Sequence, residues 1–175
     1  MADIDADYRA RCAEVSDISL HLPFLHDSAR DATVIELGVR TGNSTAAFLA
    51  AGAEVWSADT ADPQVPAEWY DDPRWHFLCG DDLSEEILAG LPAVADVVFI
   101  DTAHTYDHTL AELRVYAPRA RRLVLLHDTQ WLPGGIDSGT PSGPVAQALD
   151  DYCAEAGLVW ENRPGSFGLG VIETP

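Results

Sequence analysis

Residues 33–52, TVIELGVRTGNSTAAFLAAG, decide the fold. Residues 33–37 read as a short apolar strand carrying a single acid, Glu36, and Gly38 follows at once, with Gly42 four residues later. The next segment, STAAFLAAG, is rich in helix formers and ends at Gly52, a residue type that readily takes the left-handed conformation closing a helix. Asn43 or Ser44 is the expected cap at its start. Strand, glycine turn and helix in one stretch form the first half of a βαβ unit, and the chain downstream repeats the pattern.

Residues 54–58 and 75–78 predict the second and third strands, and SEEILAGL (84–91) a short helix after them. Residues 94–100 are the most continuously apolar, as expected of a strand covered on both faces. Leu110, Leu113 and Ala117 recur at helical spacing before Pro118 closes the helix, and residues 123–126 form a fifth strand. Residues 142–156 place Val145, Ala148, Leu149 and Tyr152 at intervals of three and four, a helix. The terminal LVWENRPGSFGLGVI reads as two strands around a Pro-Gly turn. Upstream, residues 7–20 predict a leading helix with Ala10, Ala13, Val15, Ile18 and Leu20 as its apolar members, stopped at the latest by Pro23. The glycine- and proline-rich segment 132–144 reads as a flexible loop.

This alternation predicts an α/β fold: a Rossmann-like three-layer sandwich with a mostly parallel sheet, helices on both faces and a mixed edge at the terminal hairpin. A chain of 175 residues closes around one core. The expected organisation is therefore a single domain over 1–175, with an N-terminal helical segment (1–30) and a core (33–172).

The net charge is −19, and all ten cations are arginine. Binding to nucleic acid through phosphate neutralisation is disfavoured, because the only cationic cluster is Arg119, Arg121 and Arg122. A small-molecule substrate or a bound cation suits such a field, and solubility is an equally good reason for most of the acids. No apolar run approaches the roughly 18 residues of a membrane span. The acidic start, MADIDADYRARCAE, is unlike a signal peptide. Cys12, Cys79 and Cys153 are odd in number and form no CxxC pair, so reduced thiols and a cytoplasmic location are expected.

Ligands of an open parallel sheet bind outside the carboxyl ends of its strands. The GxxxGxS turn of Gly38, Gly42 and Ser44 is neither a GxGxxG dinucleotide fingerprint nor a phosphate loop. Glu36 before it would repel pyrophosphate and attract a cationic ligand such as an amino group. Asp59, ending the second strand, is placed to accept from ribose hydroxyls, and Asp81, ending the third, to meet an adenine edge. Asp59 as a turn cap, and Asp81 with Asp82 as a helix cap, are the plainer alternatives.

With this spacing the chain resembles the class I S-adenosylmethionine-dependent methyltransferases from about Thr33 to Ile172. The resemblance implies a seven-stranded sheet in the order 3-2-1-4-5-7-6 with the last strand antiparallel. It implies that Glu36, Gly38 and Gly42 hold the methionine part of S-adenosylmethionine, Asp59 the ribose and Asp81 the adenine end, with Thr41, Ser44, Thr60 and Asp82 completing the set.

Two further motifs end the fourth and fifth strands: Asp101-Thr-Ala-His104-Thr-Tyr106 and His127-Asp128. Those strands are expected neighbours, so Asp101 and Asp128 converge, and two carboxylates repel unless a proton or a cation joins them. Mg2+ or another divalent cation is the natural oxygen-liganded choice. His104 titrates near neutrality and can serve as the base. The motifs resemble the DxxHxY and acidic pairs of a metal-dependent O-methyltransferase group that includes macrolide sugar methyltransferases and cephalosporin hydroxylase-like proteins. That resemblance implies Asp101, His127 and Asp128 as metal ligands, with Asp101 and His104 catalytic. His127 stands where that group often has Glu; binding the metal, orienting Asp128 and facing the core are its three readings. His108 is expected to face solvent on its helix, Tyr106 to pack over the site or start the helix, and Trp131 to floor an acceptor pocket or cover a core edge.

The function expected is divalent-metal-assisted methyl transfer to a hydroxyl of a small-molecule acceptor, a sugar or specialised metabolite. Metal-dependent hydroxylation and a non-catalytic cofactor- or partner-binding domain are the rivals. The lack of a large inserted lid points to a homodimer partner completing the pocket, or to a large acceptor covering it.

Overall fold

The alternating pattern folds into one seven-stranded sheet. A computed structural model describes residues 3–175. Its strands are β1 (Thr33–Leu37), β2 (Glu54–Asp59), β3 (Trp75–Cys79), β4 (Ala95–Ile100), β5 (Ala120–His127), β8 (Trp160–Arg163) and β9 (Leu169–Glu173), with a separate small hairpin of β6 (Trp131–Leu132) and β7 (Ile136–Asp137). The order across the sheet is β3-β2-β1-β4-β5-β9-β8. The first five strands are parallel, and β9 runs antiparallel between β5 and β8. With the small hairpin set aside, this is the expected 3-2-1-4-5-7-6.

Side chains alternate between two cores, as the period of a strand requires. Val34, Val97, Phe99 and Leu125 face helices α1 (Ile4–Ala13), α2 (Leu22–Ser28) and α3 (Asn43–Ala50). Ile35, Leu37, Val98, Ile100, Val124 and Leu126 face α4 (Glu85–Gly90), α5 (Tyr106–Tyr116) and α6 (Gly143–Ala156). Phe48 of α3 meets Phe99 of β4 edge to face at 5.6 Å, and both are fully buried. Burying each ring is worth about 2–3 kcal/mol, which seats α3 directly behind the turn that follows β1.

Four local expectations are corrected. The predicted helix over 7–20 is shorter and starts earlier: α1 spans Ile4–Ala13, Val15 and Leu20 are exposed, and Ser19 hydrogen-bonds the Ser16 carbonyl in the non-helical stretch before α2. Pro23 opens α2 instead of stopping a helix, since a missing N–H costs nothing in the first turn. The cap of α3 is Gly42 in the left-handed conformation, and that of α4 is Ser84, which accepts from the Ile87 N–H. The segment 132–144 is not featureless: it contributes to the β6–β7 hairpin and is tied by the Ser138 hydroxyl to the Gln130 carbonyl at 2.7 Å.

Candidate functional site

Two adjoining hollows lie along the carboxyl ends of β1 to β5. The larger, about 510 Å³, is bounded by Asp59 and Thr60 after β2, by Gly80, Asp81 and Asp82 after β3, and by Ala103 and His108. The smaller, about 120 Å³, is bounded by Asp17, Ile18, Thr41, Asn43, Ser44, His104 and Asp128. Gly38, Val39, Arg40, Asp101 and Thr102 border both.

The partition between them is built on Gly38. Its φ is +88°, its N–H donates to the Ala58 carbonyl at 2.9 Å, and Leu37 next to it accepts from the Asp101 N–H at 2.8 Å. A Cβ on residue 38 would run into the Asp101 carbonyl, so only glycine lets the two strand ends approach so closely. Asp59 Oδ2 accepts from the N–H groups of Val39 (2.8 Å) and Arg40 (3.0 Å), and its Oδ1 from Ala61 (3.1 Å). A carboxylate has about four acceptor sites, so this clamp on the turn leaves capacity for a ligand. Asp81 Oδ1 accepts from the Leu83 N–H at 3.0 Å.

Glu36 and Gly42 do not border either hollow. Alternation puts Glu36 on the face packed against α3, where it has no exposed surface and accepts from the hydroxyls of Ser44 (2.6 Å), Thr45 (2.8 Å) and Ser57 (2.6 Å). Burial pushes its pKa up to about 7 despite those three donors. At Gly42 a Cβ would lie 2.6 Å from Val65 and 2.8 Å from Trp69, so this glycine admits the start of α3 against a buried tryptophan. Thr41 and Ser44 reach the smaller hollow and Thr60 the rim of the larger.

Asp101, His104 and Asp128 converge, each offering an atom within 4.8 Å of the others. His104 Nε2 lies 2.7 Å from Asp128 Oδ2 and 4.0 Å from Asp101 Oδ1. Asp101 and Asp128 together push its pKa up to about 9 against the opposing effect of burial. Asp128 is turned inward by a left-handed backbone, φ +67°, which non-glycine residues rarely adopt away from functional sites. His127 completes the group from beneath. Its Nε2–H donates to the Ser166 carbonyl at 2.8 Å, which leaves Nδ1 3.4 Å from Asp101 Oδ1 and 3.2 Å from Asp128 Oδ2. That buried Nδ1 has no hydrogen-bond partner of proper geometry. A neutral imidazole would turn a lone pair onto two carboxylates, so a proton or a cation belongs between them. Without a cation the proton prevails: burial disfavours the charged ring, but Asp101 and Asp128 hold its pKa well above the ordinary value. Two carboxylate oxygens and an orphaned imidazole nitrogen also suit a divalent ion.

Trp131 lies tilted against His104 with ring centres 4.8 Å apart, so it touches the cluster. Tyr106 does not: its hydroxyl donates to Asp151 at 2.7 Å, tying α5 to α6. Nor does His108 only face solvent: its side chain is 29% exposed. It points at Asp82 (3.3 Å) and Glu112 (3.5 Å) in the wall of the larger hollow. Sequence reasoning missed this group, although His108 and Glu112 four apart on one helix, beside the acidic pair Asp81 and Asp82, were the available signal.

A family described as methyltransferase domain matches residues 35–129, more than half of the chain. No curated protein matches. Among solved structures, a Podospora anserina methyltransferase bound to S-adenosylhomocysteine is 16% identical with a TM-score of 0.65, covering 100% of this chain and 89% of its own. An O-methyltransferase from Bacillus cereus in complex with the same compound is 14% identical with a TM-score of 0.63, covering 98% and 90%. The MycE methyltransferase of the mycinamycin biosynthetic pathway, in complex with Mg and S-adenosylhomocysteine, is 19% identical with a TM-score of 0.63, covering 98% of this chain and 53% of its own. At these identities the likeness is one of fold. Among the described residues no helix is long and apolar enough to cross a membrane.

Proposed function

Because the chain belongs to the methyltransferase-domain family and has the class I S-adenosylmethionine-dependent methyltransferase fold, we propose that it methylates a hydroxyl oxygen of a small molecule, with the methyl donor in the larger hollow and a divalent cation at Asp101, His127 and Asp128. The observation that carries this reading is the position of Asp101, which borders both hollows and converges with Asp128 on one point. The DxxHxY and His-Asp pairs, and the magnesium bound by MycE, favour the group of macrolide sugar and cephalosporin hydroxylase-like O-methyltransferases, with a sugar or specialised metabolite as acceptor.

When bound, S-adenosylmethionine supplies an electrophilic methyl group, and a divalent ion supplies the positive charge that makes a neighbouring hydroxyl more acidic. The chain's own residues do the rest. Asp59 clamps the Gly38 turn and accepts from the ribose, Asp81 meets the adenine end, and Thr60 lines the rim. Asp101 and Asp128 would hold the cation, with the Nδ1 of His127, 3.4 and 3.2 Å from their oxygens, as a third donor. His104, 2.7 Å from Asp128, takes the proton of the acceptor hydroxyl. Asp101 and Asp128 raise its pKa to about 9, and a cation sharing those carboxylates would lower it. Trp131 packs against His104 on the acceptor side. Alignment of acceptor oxygen and methyl group across the Gly38 partition then supplies much of the rate.

The test is incubation with deuterated-methyl S-adenosylmethionine and a panel of sugar, macrolide and phenolic acceptors, read by mass spectrometry. Oxygen methylation that stops on chelation and returns with Mg2+ or Mn2+ is expected. Methylation indifferent to chelation, or confined to nitrogen or carbon acceptors, would overturn the reading.

A further inference from the structure

A second group of ligand side chains stands in the wall of the larger hollow, apart from the cluster assigned above. Asp82 follows β3, and His108 and Glu112 lie one turn apart on α5. Each offers an atom within 4.8 Å of the others. His108 Nε2 is 3.3 Å from Asp82 Oδ1 and 3.5 Å from Glu112 Oε1.

The surroundings leave this group incomplete. Glu112 has no exposed surface and Asp82 only 6%, yet Asp82 Oδ2 and Glu112 Oε2 are both buried without a hydrogen-bond partner. The polar neighbours satisfy other atoms and leave these two oxygens without a partner. The Thr102 hydroxyl donates to Glu112 Oε1 at 2.5 Å, and the Tyr116 hydroxyl to the backbone carbonyl of Asp82. Arg119 lies over the Tyr116 ring and donates to the carbonyls of Leu88 and Pro92. Among the described residues His108 is the only ion-pair partner that either carboxylate has. Two buried carboxylates facing one imidazole, with two oxygens unpaired, form an arrangement that desolvation would oppose unless a proton shared by Asp82 and Glu112, or a cation, joins them.

We propose that Asp82, His108 and Glu112 form a second divalent-cation site, suited to a borderline ion such as Mn2+ or Zn2+. The charges balance: two carboxylates and a neutral imidazole around a dication leave no net charge in a buried place. The donors, two oxygens and one nitrogen, suit such ions. Access exists because Asp82 and His108 line the larger hollow, so the ion enters from the cleft and keeps coordination positions open toward it. It ties the turn after β3 to α5, two walls of the same hollow. None of this depends on the reading of Asp101 and Asp128.

The experiment is equilibrium dialysis against Mn2+ with metal counted per chain, on the wild type and on His108→Gln, Glu112→Gln and Asp128→Asn variants, each with a thermal melt. The His108 side chain is 29% exposed and that of Glu112 fully buried, so His108→Gln should keep its fold even if Glu112→Gln does not. The wild type should bind two ions and His108→Gln one, with the lost ion at least tenfold weaker and its gain in melting temperature gone. Asp128→Asn should lose the other ion. One ion in the wild type, lost in His108→Gln and kept in Asp128→Asn, would uphold this site while failing the first. Identical Mn2+ binding and stabilisation in the wild type and His108→Gln would overturn the proposal, leaving Asp82 and Glu112 to share a proton.

Discussion

The backbone carbonyl of Asp101 fills the space that a side chain at Gly38 would need. The two hollows of the cleft are therefore divided at one contact between the ends of β1 and β4. Gly38→Ala must push those ends apart and also place alanine at a φ of +88°. The loss should be more than about 2 kcal/mol of stability, seen by denaturant unfolding, together with the affinity for S-adenosylhomocysteine.

Glu36 makes stability depend on pH. Its folded pKa is raised from 4.5 to about 7, chiefly by burial, so the folded state holds its proton more tightly than the unfolded chain does. The contribution is fully present below pH 4.5 and is lost as pH rises through 7. Glu36→Gln carries no such proton. Its stability relative to the wild type should improve between pH 5 and 8, by at most about 3 kcal/mol, in melts taken across that range. A pH-independent difference would mean that Glu36 does not titrate there.

The sheet was legible because its signals are local and repeated. Strand alternation, the Gly38 turn and the terminal Pro-Gly hairpin each name a backbone conformation that few residue types can take. The acids were legible as strand ends but not as contacts. A carboxylate beside a glycine turn looks the same whether it faces the cleft, as Asp59 does, or lies beneath it, as Glu36 does. Counting the strand period would have told them apart, since Glu36 shares a face with Val34 and so meets Ser44 and Thr45 of α3. His108 was misread because one of its partners, Asp82, comes from the turn after β3, far away in sequence. Pro23 was misread because proline begins helices as readily as it stops them.

Trp131 is predicted to act on the acceptor and not on the donor. It touches His104 and does not line the larger hollow. Trp131→Ala should raise the acceptor KM or lower kcat on the order of tenfold through lost positioning, while the affinity for S-adenosylhomocysteine stays within error. Equal losses in both would place this residue in the support of the whole fold.

Asp128 should matter to chemistry far more than to donor binding. Asp128→Asn removes half of the charge that holds the cation, and chelator-sensitive methyl transfer should fall on the order of 100-fold or more. Asparagine also accepts a left-handed backbone, so the φ of +67° is no obstacle to folding. Steady-state rates with saturating donor and added Mg2+ measure the effect.

The most direct test of a cleft shared between a methyl donor and a cation is calorimetric titration of S-adenosylhomocysteine into the wild-type protein. Saturable binding of one molecule per chain, weakened by Asp59→Ala and retained in Asp128→Asn, is the predicted result. No binding to the wild type, or binding abolished by Asp128→Asn and untouched by Asp59→Ala, would contradict it.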